Sequence, residues 1–148
     1  GYADPSCFGN DKVKTTNIDK LAAEGTRFTN FYVPQAVCGA SRAGLLTGCY
    51  PNRLGMLGAP GPGSRTGIAA SEKLLSEICK ERGYATAIFG KWHLGDNEKF
   101  LPLQHGFDEY FGLPYSNDMW PHNPNTNNKW PPLPLIEGNK AVKVGLLG

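Results

Sequence analysis

Residues 84 to 89, Tyr-Ala-Thr-Ala-Ile-Phe, form a short apolar run closed by Gly83 and Gly90. A run of that length and character is what a buried parallel strand requires. Directly before it, Glu72 to Arg82 reads as a helix with Ser71 as its cap and Leu74, Leu75, Ile78 and Cys79 as its core face. Parallel strands must be joined by crossovers, usually helical, so this pair already argues for an α/β sheet. The same alternation appears upstream. Thr16-Asn17-Ile18-Asp19 opens a helix with a capping side chain and an acid in the first turn, Ile18, Leu21 and Ala22 share a face, and Gly25 stops it. Thr26 to Val33, with Phe28, Phe31, Tyr32 and Val33, is predicted as a strand that Pro34 ends. A further helix is predicted from near Ser41, anchored by Leu45 and Leu46 and closed by Gly48.

Two charged stretches then fall just beyond strand ends, where open α/β sheets place their ligands. The first is Val37-Cys38-Gly39-Ala40-Ser41-Arg42, leading into the Leu45 helix; the second is Gly90-Lys91-Trp92-His93. A nucleophile precursor, an arginine, a lysine and a histidine are the parts of a site for an anionic tetrahedral group. The N-terminus of the Leu45 helix, with its free N–H groups and dipole, would favour an anion beside Cys38. Taken singly, each residue has a plainer reading: a buried thiol, a structural ion pair, a solvated lysine, a hydrogen-bonded loop histidine. It is their combination that points to chemistry.

The rest of the chain is loop-rich. Its 148 residues suffice for one domain with a core. The 19 glycines and 12 prolines, against average usage of about 7% and 5%, lie in loops and not in repeats. Formal charge is +2, which implies neither a nucleic acid nor an acidic surface as partner. No apolar run approaches the roughly 20 residues of a membrane span. Cys7, Cys38, Cys49 and Cys79 contain no C-x-x-C pair, which removes zinc-ribbon and thioredoxin-like readings. Residues 1 to 16 read as a loop, so the domain opens in mid-loop as if cut. Residues 49 to 70 read as a long loop, Asp108 to Phe111 as one turn of helix, 114 to 134 as an ordered surface loop, and Lys140 to Leu147 as a strand without a visible partner. Trp92 and Trp130 read as loop packing, and Trp120, beside Asp118 and His122, as the best candidate for a substrate rim. His105 and His122 read as structural.

Cys38-Gly39-Ala40-Ser41-Arg42 followed by Leu45-Leu46-Thr47-Gly48 resembles the first sulfatase signature, and Gly83-Tyr84 through Gly90-Lys91-Trp92-His93 the second. Thr16 to Ala22, Arg27 to Tyr32, Gly106-Phe107 and Leu113 to Asp118 agree in order and spacing with the arylsulfatase A-like group. The resemblance implies an alkaline-phosphatase-like α/β sheet flanked by helices, present in part, with residues 1–148 forming the N-terminal portion of a single catalytic domain whose first strand and C-terminal portion are missing. It implies a sulfuric ester hydrolase. In that family the signature cysteine is oxidised to formylglycine by a formylglycine-generating enzyme. Its hydrate supplies the nucleophile, and the second hydroxyl later expels sulfate, whereas a plain serine would stop at a stable ester. By the match, Cys38 is the formylglycine precursor and a metal ligand once modified. Arg42 steadies the hydrate, Lys91 pairs with a sulfate oxygen, His93 holds the hydrate and shuttles its proton, and Ser116 supplies a hydroxyl near the substrate.

The resemblance also implies Ca2+ or Mg2+, a sulfated small molecule or glycan as substrate, and a secreted, periplasmic or lysosomal parent protein. The remaining metal ligands, an Asp-Asp pair and a later Asp-Asn pair, are expected ahead of Gly1 and beyond Gly148, so the isolated segment is expected to be inactive and poorly stable. Two features depart from the pattern. Ala40 stands where proline is usual, and Cys49-Tyr50-Pro51-Asn52-Arg53 repeats the bare Cys-x-Pro-x-Arg spacing. Cys38 is preferred because only it leads into the Leu-Thr-Gly helix. The rivals are a phosphoester hydrolase of the same fold, a thiolate phosphatase, and an inactive sulfatase-like binding module. The thiolate reading is disfavoured because the Cys-x3-Arg spacing is too short for a Cys-x5-Arg loop.

Overall fold

A computed structural model of the chain describes residues 2–127 and 129–145. The chain divides into two compact units, residues 1–32 and 33–148.

The first unit holds helix α1, Thr16–Glu24, and a 3-10 turn at Ser6–Phe8. Helix α1 spans the predicted residues, but the expected side-chain cap is not made. What ties the unit together is Asp19 in the first turn of α1. Its carboxylate accepts hydrogen bonds from Ser6 Oγ at 2.5 Å, the Cys7 N–H at 2.8 Å and Thr15 Oγ1 at 3.0 Å. These donors hold its carboxyl below the ordinary carboxylate range, the Ser6 bond contributing most. The apolar face predicted for α1 is not a core face, since Ile18 and Leu21 are exposed.

The strand predicted over Thr26–Val33 is absent, and Phe28, Phe31, Tyr32 and Val33 are exposed. High β-propensity describes side chains that fit a pleated, half-buried surface. Among the described residues no strand lies alongside to supply the ladder.

The second unit is built on a four-stranded sheet in the order β1-β2-β3-β4, with β1 Ala87–Lys91, β2 Glu109–Leu113, β3 Pro134–Glu137 and β4 Lys140–Val144. Strands β1 and β2 are parallel, and the other two pairs antiparallel. The sheet is therefore mixed, within the α/β class the sequence predicts. The turn of helix predicted at Asp108–Phe111 is part of β2, because Glu109 to Phe111 pair in register with Ala87 to Phe89. The strand predicted at the chain end does have a partner: β4 folds back on β3 through Gly138 and Asn139. The part of that prediction covering Leu146 and Leu147 lies outside the described residues.

Helices α2, Cys38–Thr47, and α3, Leu75–Glu81, accompany the sheet. Helix α3 starts later than predicted. Leu74 precedes it, and Glu77 Oε2 accepts the Leu74 N–H at 2.7 Å, doing from within the first turn what Ser71 was expected to do from outside it. Its buried side is Leu74 and Ser76, with Leu75 and Ile78 exposed, so the predicted face is rotated.

The core gathers on one side of the sheet: Ala43, Met56, Ile68, Leu74, Trp92, Leu94, Leu101, Tyr110 and Ile136. Ile88 and Tyr110 are register partners facing it, while their neighbours Phe89 and Phe111 pair on the opposite, exposed side. Strand β1 is thus a parallel strand as predicted, but it runs over Ala87–Lys91 instead of 84–89 and is covered on one face only. Among the described residues no helix is long and apolar enough to cross a membrane.

Candidate active site

Helix α2 begins at Cys38, three residues earlier than the sequence suggested, and Val37 precedes it without a side-chain cap. The first intrahelical bond runs from the Ser41 N–H to the Val37 carbonyl at 2.8 Å. The N–H groups of Cys38, Gly39 and Ala40 therefore have no partner within the helix and concentrate its positive end at Cys38. The loop after α2 packs closely on this turn. A Cβ on Gly39 would stand 2.5 Å from the Gly58 carbonyl oxygen and 3.0 Å from Pro60, so only glycine lets Gly58–Pro60 lie there.

Strand β1 delivers the other half. Its last residue is Lys91, and pairing with the β2 side continues past it, from the Trp92 N–H to the Leu113 carbonyl and from the His93 N–H to the Pro114 carbonyl, both at 2.9 Å. Trp92 is fully buried, anchored by its indole N–H on the Phe100 carbonyl at 2.7 Å and flanked by His105 and Phe107. This anchor fixes the turn on which His93 sits. His93 adopts φ 63, a left-handed conformation uncommon for a residue with a side chain. Such outliers concentrate where surrounding structure holds a side chain for a purpose.

The two halves meet at two contacts. Cys38 Sγ and His93 Nδ1 are 3.2 Å apart, and Arg42 Nη1 donates to the Lys91 carbonyl at 2.6 Å. One turn of helix separates Cys38 from Arg42, so a single helix face presents both to the end of β1. Residues 55 and 49 apart in sequence are thereby locked together. His93 is fully buried, and among the described residues its Nε2 has no hydrogen-bond partner of ordinary geometry. Burial holds its imidazole below the ordinary value of 6.5; the charges of Lys91 and Arg42 push the same way, and the Pro60 carbonyl and Asp118 oppose them. A neutral ring beside Cys38 can accept a proton there, and the two cations favour negative charge on whatever binds between them.

Ser116 follows two residues after Pro114, half-buried, with its carbonyl accepting the Met119 N–H at 3.0 Å. The same loop brings Asp118, whose charge reaches His93, and Trp120, which meets His122 edge-on at 5.3 Å. The influence of Pro60 on His93 left no mark in the sequence, because it is a backbone carbonyl in a Pro/Gly loop.

Cys49 is exposed and lies just past Gly48, which closes α2 in a left-handed conformation. That is the negative end of the helix dipole, the wrong end for an anionic ester. Among the described residues no three His, Cys, Asp or Glu side chains come together as a metal site. The carboxylate set that calcium or magnesium demands is not assembled by them.

His105, buried beside Trp92, is held below 6.5 by burial, with Glu77 and the Lys99 carbonyl opposing. Both histidines therefore bind fewer protons in the folded protein than in the unfolded chain, between their depressed folded values and 6.5. Their contribution is complete above 6.5 and is lost as pH falls through that window. In the full-length protein the denaturant midpoint is expected to drop as pH falls below 6.5, and His105→Gln to make the drop shallower. A drop equally steep in the variant would contradict this assignment.

The geometry finds its counterpart in known proteins. The Sulfatase family model matches residues 1–143. Human arylsulfatase A is 48% identical over 124 residues, covering 82% of this chain and 24% of that protein. Human N-acetylgalactosamine-6-sulfatase is 43% identical over 138 residues, 84% of this chain and 26% of that protein. The crystal structure of Ps i-CgsB in complex with k-i-k-neocarrahexaose superposes with a TM-score of 0.79 at 35% identity, over 97% of this chain and 35% of that one. The chain belongs to the sulfatase family, and its sheet and helices are part of the alkaline-phosphatase-like fold. It spans about a quarter of the length of the curated relatives it matches.

Proposed function

We propose that the protein containing this chain hydrolyses sulfate esters at a formylglycine made from Cys38. The observation that carries the reading is the 3.2 Å approach of Cys38 Sγ to His93 Nδ1 at the open N-terminus of α2, with Arg42 tied to the Lys91 carbonyl. Formylglycine supplies, as its hydrate, an oxygen nucleophile with a second hydroxyl for release of sulfate. Cys38 Sγ marks where those oxygens would stand. His93 Nδ1 takes and returns the proton at that position, being neutral near pH 7 because of burial. Lys91 and Arg42 offset the charge of the sulfate oxygens, and the unpaired N–H groups of α2 add to them. Ser116 contributes a hydroxyl from the neighbouring loop. Calcium or magnesium enters as the family's ion, with its carboxylates supplied from elsewhere in the parent protein.

A sulfated glycan is the favoured substrate class. Among the relatives, one is named for a sulfated amino sugar and one structure holds a carbohydrate. A formylglycine-generating enzyme is the required partner, and a secreted, periplasmic or lysosomal location follows from the family. The binding-module reading is not favoured because the side chains that would bind an ester also meet a nucleophile position and a base, and the phosphoester reading because such hydrolases normally carry Thr or Ser where this chain has Cys38.

The test is the release of sulfate by full-length protein co-produced with a formylglycine-generating enzyme. Aryl sulfate and a sulfated oligosaccharide are expected to be hydrolysed, and the matched aryl phosphate far more slowly. Preferential phosphate release, or none of either anion, would overturn the proposal.

A further inference from the structure

A second charged cleft lies along the same loop. It encloses about 400 Å³ between residues 63–65 and 96–99, with Arg65 and Lys99 on its walls. Asp96 lines it as well: Oδ2 accepts the Gly63 N–H at 2.6 Å, and among the described residues Oδ1 is buried without a partner. Among the described residues Arg65 has no ion-pair partner, and the Lys99 ammonium lies over the Phe100 ring at 4.8 Å. The cations that face solvent here are uncommitted to any carboxylate.

The cleft is tied to the catalytic end. Asp96 is three residues beyond His93, so their backbones lie within about 10 Å. The Ile68 N–H is bonded to the Leu94 carbonyl at 2.8 Å, which fixes the loop to the same turn. A shallower depression runs from Pro60, beside His93, along Gly61 to Ser64, and Ser64 also lines the Arg65 cleft. The indole of Trp130 packs at Gly61 on the way. The two depressions share Ser64, so they are continuous with each other.

We infer that the Arg65–Lys99 cleft is an anion subsite for the unit adjoining the one whose sulfate is cleaved, so that the preferred substrate is a glycan with a second anionic group on its neighbouring sugar. The inference rests on the sulfatase reading and narrows its substrate. An arginine fork and a lysine point charge suit a second sulfate or a uronate carboxylate.

The test compares full-length wild type with the Arg65→Gln/Lys99→Gln double variant on four substrates: an aryl sulfate, a monosulfated disaccharide, a disulfated disaccharide, and a monosulfated disaccharide containing a uronate. Wild type is expected to favour the two doubly anionic sugars by about tenfold in kcat/KM through KM, and the variant to lose that preference while keeping the aryl sulfate rate. The two doubly anionic arms separate sulfate from carboxylate. No preference in wild type, or an equal loss on aryl sulfate, would overturn the subsite. Calorimetric binding of the disulfated and monosulfated sugars to both proteins decides the matter without turnover. Tighter binding of the disulfated sugar that the variant abolishes supports the subsite even if no sulfate is released, a result that would count against the hydrolase reading alone. Equal binding by both proteins sinks the subsite.

Discussion

Replacing Cys38 with alanine in the full-length protein is expected to lower kcat for sulfate ester hydrolysis by about 10⁴-fold or more, as loss of a covalent nucleophile does elsewhere. Alanine is the best helix former, and position 38 is the first residue of α2 without a side-chain capping role, so the fold should be retained. The loss would come from chemistry: His93 Nδ1 would face a methyl group instead of a nucleophile precursor. The same substitution at Cys49, exposed beyond the far end of the helix, is expected to leave the rate unchanged. Circular dichroism and steady-state kinetics on both variants check the pair. An active Cys38→Ala protein would remove the centre of the proposed site.

Gly112→Ala should act just as severely, through the fold. Gly112 faces Gly90 across the parallel β1–β2 pair, and a Cβ there would stand 1.8 Å from the Gly90 carbonyl oxygen and 2.6 Å from its carbon. Those are backbone atoms, so no rotamer change relieves the clash. The two strands must part, at a cost of about 4 kcal/mol, among the largest single-site effects. Gly90 immediately precedes Lys91, and the ladder bonds of Trp92 and His93 continue from it, so separation would also misplace the site. The expected result is a large fall in denaturant midpoint in the full-length protein. A midpoint near that of wild type would show that the strands tolerate a wider spacing here.

The sequence made the site more legible than the sheet. Cys38, Arg42, Lys91 and His93 were singled out by residue type and by their places after predicted elements; in the structure Cys38 Sγ lies against His93 Nδ1, and Arg42 bonds the backbone carbonyl of Lys91. Helix α1 and the end of α2 were readable because Gly25 and Gly48 stop them. The strand expected over Thr26–Val33 was not found, because propensity reports the side chains and a strand also needs a neighbour to bond. Phe89 was read as buried in an apolar run, yet it faces away from the core and is 70% exposed. The run cannot reveal how many faces are covered. Strand β2 reads in sequence as a turn of helix over Asp108–Phe111, a stretch too short for its own period to distinguish the two. Register with β1 decides it, and Asp108 instead accepts the Thr86 N–H at 2.9 Å beside Lys80. Those bonds hold its carboxyl down at about 2, the Lys80 bond contributing most.

Whether Cys38 becomes an aldehyde is the question on which the account turns, and peptide mass spectrometry of the full-length protein answers it. Produced with a formylglycine-generating enzyme and cut with trypsin, the protein separates the candidates: Cys38 falls in the peptide from Phe28 to Arg42, and Cys49 in the peptide from Ala43 to Arg53. The account predicts the aldehyde on the first peptide and an unmodified thiol on the second. Unmodified cysteine on both peptides, or an aldehyde confined to the second, would contradict it.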